Sequence, residues 1–259
     1  MHFTSAPRLE DGVIERDFLV DDIPGVLWTP ASRPEPAPLI LLGHQGGLDR
    51  MKPRLSARAH DAAAAGFATA TIELAGSGVR PRIAATEAAR AELRRTLEAG
   101  RSVSDDLIDQ LILPLTEQAV PEWQATLSEL LSMPGIDGPV GFSGGVISIA
   151  TRLAAVDRRI AAAVLFAGSF VPRSILEQAR QVTVPLLVLL QWDDEGNDRQ
   201  MALELFDAFG SREKTLHANM GGHTGVPQFE GDDGMRFFLR HLGRGATRPG
   251  VVARRRWRR

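Results

Sequence analysis

The sequence contains no cysteine. Disulfide bonds, thiolate metal sites and a cysteine nucleophile are therefore excluded. The sequence also has no run approaching the ~18 apolar residues that a membrane-spanning helix needs, and residues 1–8 lack the apolar core of a secretory signal. These absences lead us to expect no membrane span and a cytoplasmic location.

An excess of charge of either sign is also missing. The chain has 30 Lys and Arg against 32 Asp and Glu, a net charge of −2, so we expect no nucleic-acid partner. The exception is the Arg-rich segment 244–259, which has no apolar periodicity and is predicted to be a disordered tail. Alternatively, this segment could bind a nucleic acid or an acidic membrane surface. No aromatic residue beyond Trp257 is present in it to support specific recognition of a nucleic acid by stacking.

What is present fits one globular domain over residues 1–243. Of the 259 residues, 44% are hydrophobic and 24% are charged, which is enough to bury a large core. Short apolar runs alternate with helical segments, so we predict an α/β fold, a three-layer α/β/α sandwich with a mostly parallel sheet of about eight strands. Residues 13–20 and 25–28 predict an antiparallel entry to the sheet.

Two helical regions lie between the second parallel strand and the central motif. Residues 83–99 predict an exposed helix, and residues 104–132 predict one or two helices interrupted near Pro121. Residues 76–120 are the only part of the chain with room for a helical cap over a site.

The segment Gly141-Phe142-Ser143-Gly144-Gly145 follows an apolar strand and precedes a helix. This G-x-S-x-G pattern in this context is typical of a nucleophile elbow, a strained strand-to-helix turn that exposes the serine hydroxyl. We therefore predict that Ser143 is a nucleophile with strained backbone angles. The Gly144 N–H at the start of the helix is predicted to form part of an oxyanion hole.

A serine nucleophile needs a base and an acid, which follow it in this order of the chain as Asp194 and His223. Both come directly after predicted strands, so we expect a catalytic triad at one edge of the sheet. Asp193, Glu195 and Asp198 are alternative acids, of which the last two are expected to cap the next helix or meet solvent. The remaining histidines considered, His60, His217 and His241, are predicted to be structural or solvated.

The loop after the first parallel strand, His44-Gln45-Gly46-Gly47, supplies the second predicted oxyanion donor. The Gln45 backbone N–H is favoured, and Gly46 is the alternative. His44 is predicted to shape the loop. A substrate pocket is predicted from three aromatic residues near strand ends, whose alternative role is plain core packing: Phe142, Phe170 and Trp192.

With these motifs the chain resembles the α/β-hydrolase superfamily, nearest the small, lid-poor, dienelactone-hydrolase-like serine esterases, over residues 13–242. Residues 73–78, Glu-Leu-Ala-Gly-Ser-Gly, resemble the superfamily's D-x-P-G-x-G turn. Asn197-Asp198 stands where such proteins have an apolar-proline pair after the acid. Dienelactone hydrolases proper use a cysteine nucleophile, so their substrate does not carry over to Ser143.

The resemblance implies a carboxylesterase-like serine hydrolase that cleaves a small-molecule ester, thioester or lactone through an acyl-enzyme on Ser143, with no metal or organic cofactor. One alternative is a biosynthetic acyltransferase, cyclase or eliminating enzyme on the same fold. The other is a non-catalytic binding protein, which would have no need of a serine, an acid and a histidine together.

Overall fold

The structure is a computed structural model that describes residues 1–32 and 36–243. The predicted disordered tail, residues 244–259, lies outside the described residues.

The described chain forms strands and helices that alternate after an all-β start. The strands are β1 (His2–Phe3), β2 (Arg8–Glu10), β3 (Val13–Val20), β4 (Ile23–Pro30), β5 (Ala37–Gly43), β6 (Ala68–Ile72), β7 (Ile136–Gly144), β8 (Ile160–Phe166), β9 (Leu186–Gln191) and β10 (Lys214–Asn219). The helices are α1 (Leu48–Ala64), α2 (Ala84–Glu98), α3 (Asp105–Leu131), α4 (Ile147–Val156), α5 (Arg173–Ala179), α6 (Arg199–Ala208) and α7 (Phe229–Leu242).

These strands form one sheet in the order β1-β3-β4-β6-β5-β7-β8-β9-β10, with β2 paired to β3. The pairs from β6 to β10 along this order are parallel, whereas β1, β2 and β4 pair antiparallel with their neighbours. The predicted mostly parallel sheet and its antiparallel entry are therefore confirmed. The strands beyond the predicted eight are β1 and β2, of 2 and 3 residues.

Helices cover both faces of the sheet and give it two cores. One core packs α1 and α7 against the sheet, with Leu55 and Phe238 among its buried side chains. The other packs α3, α4, α5 and α6 on the opposite face, with Trp123 and Leu153 among its members. Central strand β5 is buried along its whole length because both of its faces are covered.

Helix α3 runs unbroken through Pro114 and Pro121, where the sequence predicts an interruption. A proline removes one backbone hydrogen bond from a helix. Side chains on both sides of Pro121, including Leu115 and Leu127, are buried in one continuous stripe, and their packing holds the helix together. Because α2 packs on α3 and α3 on the sheet, the cap over residues 76–120 stays a prediction.

None of the helices in the described residues is long and apolar enough to cross a membrane. The cytoplasmic location stays a prediction.

We expect Gly234→Ala to raise the free energy of unfolding by ~0.5–1 kcal/mol, because alanine costs less backbone entropy than glycine inside a helix. A Cβ at this position of α7 would meet Val164 only at ordinary contact distance, 3.8 Å. Urea denaturation measures the change. The matched variant is Gly25→Ala, where a Cβ would clash with Phe18 and lie 2.7 Å from the Thr71 carbonyl oxygen. Gly25→Ala should be destabilising, and a stabilising effect there would contradict this packing.

Candidate active site

Ser143 lies inside the sheet, one residue before the end of β7. It pairs with Leu42 of β5 on one side and with Val164 of β8 on the other. Its side chain is buried at 6% exposure. The positive φ angles fall on Gly144 (+78°) and Gly145 (+74°), and Ser143 is not among the residues with positive φ. The prediction of strained angles and an exposed hydroxyl at Ser143 is therefore wrong, because the ladder continues through it and the turn begins at Gly144.

The turn after β7 approaches the end of β5 too closely for side chains. A Cβ on Gly145 would lie 2.9 Å from the Gly43 Cα, and one on Gly43 would lie 3.0 Å from the Gly144 carbonyl oxygen. Real Cβ atoms essentially never come as close as the Gly145 distance, and the Gly43 distance is tighter than most of their contacts. Gly145 is thus required where the carboxyl ends of β5 and β7 meet, and a side chain at Gly43 would force its neighbours to shift.

The Ser143 hydroxyl is bound by Arg58 of α1. Arg58 Nη2 donates a hydrogen bond to Ser143 Oγ at 2.7 Å, and a weaker one to the Ser143 carbonyl oxygen at 3.5 Å. The guanidinium also adjoins the turn, because a Cβ on Gly144 would lie 3.3 Å from Arg58 Nη1. Ser143 therefore faces α1, and no hydrogen bond joins it to His223 within the described residues.

His223 and Asp194 form a direct hydrogen bond. Asp194 follows β9 and His223 follows β10, and these strands are parallel neighbours. His223 Nδ1 donates to Asp194 Oδ2 at 2.7 Å. The Asp194 side chain is only 2% exposed, whereas the His223 side chain is 45% exposed. The carboxylate fixes the tautomer with the proton on Nδ1, so the Nε2 atom is left as the base.

The acid loop holds Asp194 through its own backbone. Asp194 Oδ1 accepts the Gly196 N–H at 3.0 Å. Asn197 Nδ2 donates to the Ala167 carbonyl oxygen at 2.7 Å, which ties the loop to the end of β8. Asp198 caps α6 by accepting the N–H groups of the second and third residues after it, as expected for an acid at that place. Of the four carboxylates between residues 193 and 198, Asp194 is the one bonded to His223.

The loop after β5 carries the predicted oxyanion donors Gln45 and Gly46. Gln45 is exposed, its side-chain amide donates to the Gly145 carbonyl oxygen at 3.3 Å, and Gly46 has φ of +111°. His44 is buried and its Nε2 donates to the Ile72 carbonyl oxygen at 2.9 Å, while burial lowers its pKa. The loop thus lies against the turn after β7, and the donor roles of Gln45, Gly46 and Gly144 stay predictions.

Next to the loop, Glu73 ties the glycine-rich turn after β6 to α1. Its Oε1 accepts the Leu48 N–H at 2.8 Å. Burial is the first cause that raises the pKa of this carboxyl group. The turn that resembles D-x-P-G-x-G therefore positions the start of the helix that carries Arg58.

A cavity of about 390 Å³ opens between the sheet, α1 and α7, and Ser143 and Gly144 are among the residues that line it. None of the three predicted pocket residues lines it. Phe142 packs edge-on against Trp123 in the opposite core, with ring centroids 5.6 Å apart. Phe170 is half-buried, and Trp192 is half-buried beneath the Arg199 guanidinium. The pocket role of these three side chains stays a prediction that the cavity at Ser143 does not support.

Two residues at this site were not predicted from the sequence. Phe166, at the end of β8, lines the cavity and meets the His223 ring edge-on at 5.4 Å between centroids. Arg58 lies three residues after buried Leu55 and four before buried Ala62. This spacing places Arg58 on the inward face of α1, and a charged residue on such a face was the signal that could have found it.

The three histidines predicted to be structural or solvated lie beside local polar groups. His60 bonds to the Ser56 carbonyl oxygen. His217 bonds to Glu230 at 2.8 Å, and His241 lies 3.3 Å from Glu213. His217, Glu230 and Asp233 have the donor atoms of a metal site within reach of one another, but the hydrogen bond between His217 and Glu230 accounts for their approach.

Comparison with solved structures finds esterases. A cold-adapted esterase from an Arctic intertidal metagenomic library is 28% identical, covers 93% of this chain and 100% of its own, and has a TM-score of 0.74. An acetyl xylan esterase from Paenibacillus sp. R4 is 14% identical over 93% of this chain and 89% of its own, with a TM-score of 0.67. A candidate dienelactone hydrolase from Klebsiella pneumoniae subsp. pneumoniae is 14% identical over 88% and 98%, with a TM-score of 0.64.

No protein-family model matches the sequence, and no curated protein matches it. The structural likeness confirms that the chain has the α/β-hydrolase fold and resembles the esterases of that superfamily.

The hydrogen bond between His223 and Asp194 predicts a specific NMR signature. The imidazole ¹⁵N shifts of neutral His223 should report a proton on Nδ1, because Asp194 accepts from that atom. Asp194→Asn should mix the two tautomers. Asp193→Asn is the matched control, since it removes a carboxylate from the adjacent position, and it should leave the shifts unchanged. Equal shifts in wild type and Asp194→Asn would contradict the pairing.

Proposed function

We propose that this chain, with its α/β-hydrolase fold, is a hydrolase of small carboxylic esters, thioesters or lactones, in which His223 is the general base and Asp194 orients it. The observation that carries the proposal is the 2.7 Å hydrogen bond from His223 Nδ1 to the buried Asp194 carboxylate. Because the buried acid holds Nδ1 of this half-exposed imidazole, Nε2 is the ring nitrogen left to take a proton from a nucleophile. The esterase neighbours support a carboxylic ester as the substrate class.

Ser143 is the proposed nucleophile of this reaction. Its Oγ would attack the carbonyl carbon while His223 Nε2 takes the hydroxyl proton, and the backbone N–H groups of Gly144 and Gln45, or of Gly46, would stabilise the oxyanion. Collapse of the tetrahedral intermediate expels the alcohol, which receives the proton from His223. Water deprotonated by the same histidine then attacks the acyl carbon, the bond to Ser143 Oγ breaks to release the acid, and His223 returns the proton to Ser143 Oγ.

This route demands a local change, because the Ser143 hydroxyl bonds to Arg58 and faces α1. The hydroxyl would have to leave the guanidinium and turn toward the carboxyl edge of the sheet. The side chain is short and needs a rotation about one bond, but its neighbours in the ladder, Leu42 and Val164, fix the direction of its Cβ.

The contact between Arg58 and Ser143 therefore favours a second candidate, a reaction that depends on His223 without a covalent serine intermediate. In that reaction His223 Nε2 deprotonates a water molecule that attacks the carbonyl carbon directly, or it removes a proton from the substrate in an elimination. Asp194 has the same orienting role in both routes.

Ser143→Ala separates the two routes. If Ser143 is the nucleophile, the variant should lose at least ~10³-fold in kcat on p-nitrophenyl esters and lose labelling by a fluorophosphonate. The exposed Ser132→Ala is the matched control and should behave as wild type. Retained turnover in Ser143→Ala together with its loss in His223→Ala would establish the second candidate. Full turnover in both variants would remove the proposed function.

The orienting role of Asp194 gives a further prediction. Asp194→Asn should lower kcat by at least ~10²-fold, because the amide no longer fixes the tautomer of His223 or stabilises its positive charge. Asp193→Asn, Glu195→Gln and Asp198→Asn change carboxylates that do not bond to His223, so each should lose much less. A crippling effect of one of these three, with a mild effect of Asp194→Asn, would contradict the assignment.

A further inference from the structure

The cavity beside Ser143 has a largely apolar wall and two arginines, the partly buried Arg58 and the exposed Arg54. Most of its wall is apolar, with side chains from the sheet and from α7: Leu42, Val164, Phe166, Leu189, Met235 and Phe238. Arg58 reaches in from α1. The volume of about 390 Å³ lies in the range of sites for small organic ligands.

Arg58 has no acidic partner in the described residues. Its hydrogen bonds go to the hydroxyl and the carbonyl oxygen of Ser143, and no carboxylate of residues 1–32 or 36–243 forms an ion pair with it. Burial, and secondly the neighbouring positive charge of Arg54, lower the pKa of Arg58 to about 10. The guanidinium thus remains protonated at neutral pH in a place that disfavours its charge.

The two acidic residues at the cavity do not neutralise this charge. Both carboxylate oxygens of Glu230 are already bonded, Oε1 to Asn219 Nδ2 and Oε2 to His217 Nδ1, each at 2.8 Å. Asp61 is exposed on the surface of α1 and forms no ion pair among the described residues. Arg58 is partly buried, and a desolvated cation is costly unless an anion pairs with it, so an anion from outside the chain would complete the site.

We propose that this cavity binds a small organic carboxylate with an apolar body, whose carboxylate pairs with Arg58 and whose body lies against the apolar wall. The planar guanidinium can offer two parallel N–H groups to a carboxylate. Both hydrogen bonds of the guanidinium within the described residues come from Nη2, and Nη1 lies beside Gly144. The site requires neither Ser143 nor His223 to be catalytic and so goes beyond the proposed function.

Isothermal titration tests the site with 4-phenylbutyrate, its neutral amide and inorganic phosphate as probes. We expect the carboxylate to bind wild type, and the amide and phosphate to bind at least ~10-fold more weakly, since one lacks the charge and the other the apolar body. Phosphate that binds as tightly as the carboxylate, an amide that binds as tightly, or a carboxylate that does not bind would each overturn the proposal.

Variants assign the binding to the cavity. Arg58→Gln should weaken 4-phenylbutyrate at least ~10-fold, whereas Arg94→Gln, a matched change at an exposed position of α2, should not. Gly234→Leu should fill the cavity from α7 and abolish binding without removing any charge. The carboxylate should raise the Tm of wild type and not that of Arg58→Gln, which distinguishes a binding residue from a merely structural one. Unchanged affinity in Arg58→Gln or in Gly234→Leu would refute the site.

His223→Ala keeps this test apart from the proposed function. The variant should bind 4-phenylbutyrate as wild type does, whatever its effect on ester hydrolysis. Loss of binding in His223→Ala would place the carboxylate at the imidazole and not at Arg58, and would contradict the proposal.

Discussion

The pairing of β7 with strands on both of its sides is the constraint on which the site depends. Leu42 and Val164 flank Ser143 in a continuous parallel ladder, and side chains alternate between the faces of such a ladder. Phe142 therefore faces the core formed by α3, and Ser143 faces α1. The ladder ends one residue later, so Gly144 and not the serine takes the positive φ. Where the hydroxyl points, which helix it meets and what the adjoining cavity contains all follow from this register.

Most of the fold could be predicted from the sequence because apolar runs with glycine-rich ends specify parallel strands strongly. The antiparallel entry, the crossover through α1 and the strand before Ser143 were all predictable in this way. The two shortest strands were not, since β1 and β2 together hold 5 residues and carry no periodicity. The continuity of α3 through its prolines depends on tertiary packing, which no local propensity describes.

The order of the candidate site residues along the chain could be predicted from the sequence, but their geometry could not. Asp194 and His223 each follow a strand, and parallel neighbours bring their ends together, which explains why that pair could be named. The direction of the Ser143 side chain depends on whether β7 ends at residue 142 or at residue 144. The pattern of glycines in the sequence does not distinguish these two strand ends. Arg58 lies on α1, which is distant from Ser143 in the sequence. Its contact with Ser143 depends on how α1 packs on the sheet. Phe166 likewise acquires its neighbours only when β8 takes its place beside β7.

The ring of Phe166 lies between His223 and the cavity. One of its neighbours is the imidazole of His223, and the other is the interior of the cavity. An aromatic ring is rigid, so a displacement that makes room on one side changes the contact on the other. The face of Phe166 that lines the cavity and the edge that meets His223 therefore belong to one rigid plane, which sets where the cavity ends and the imidazole begins.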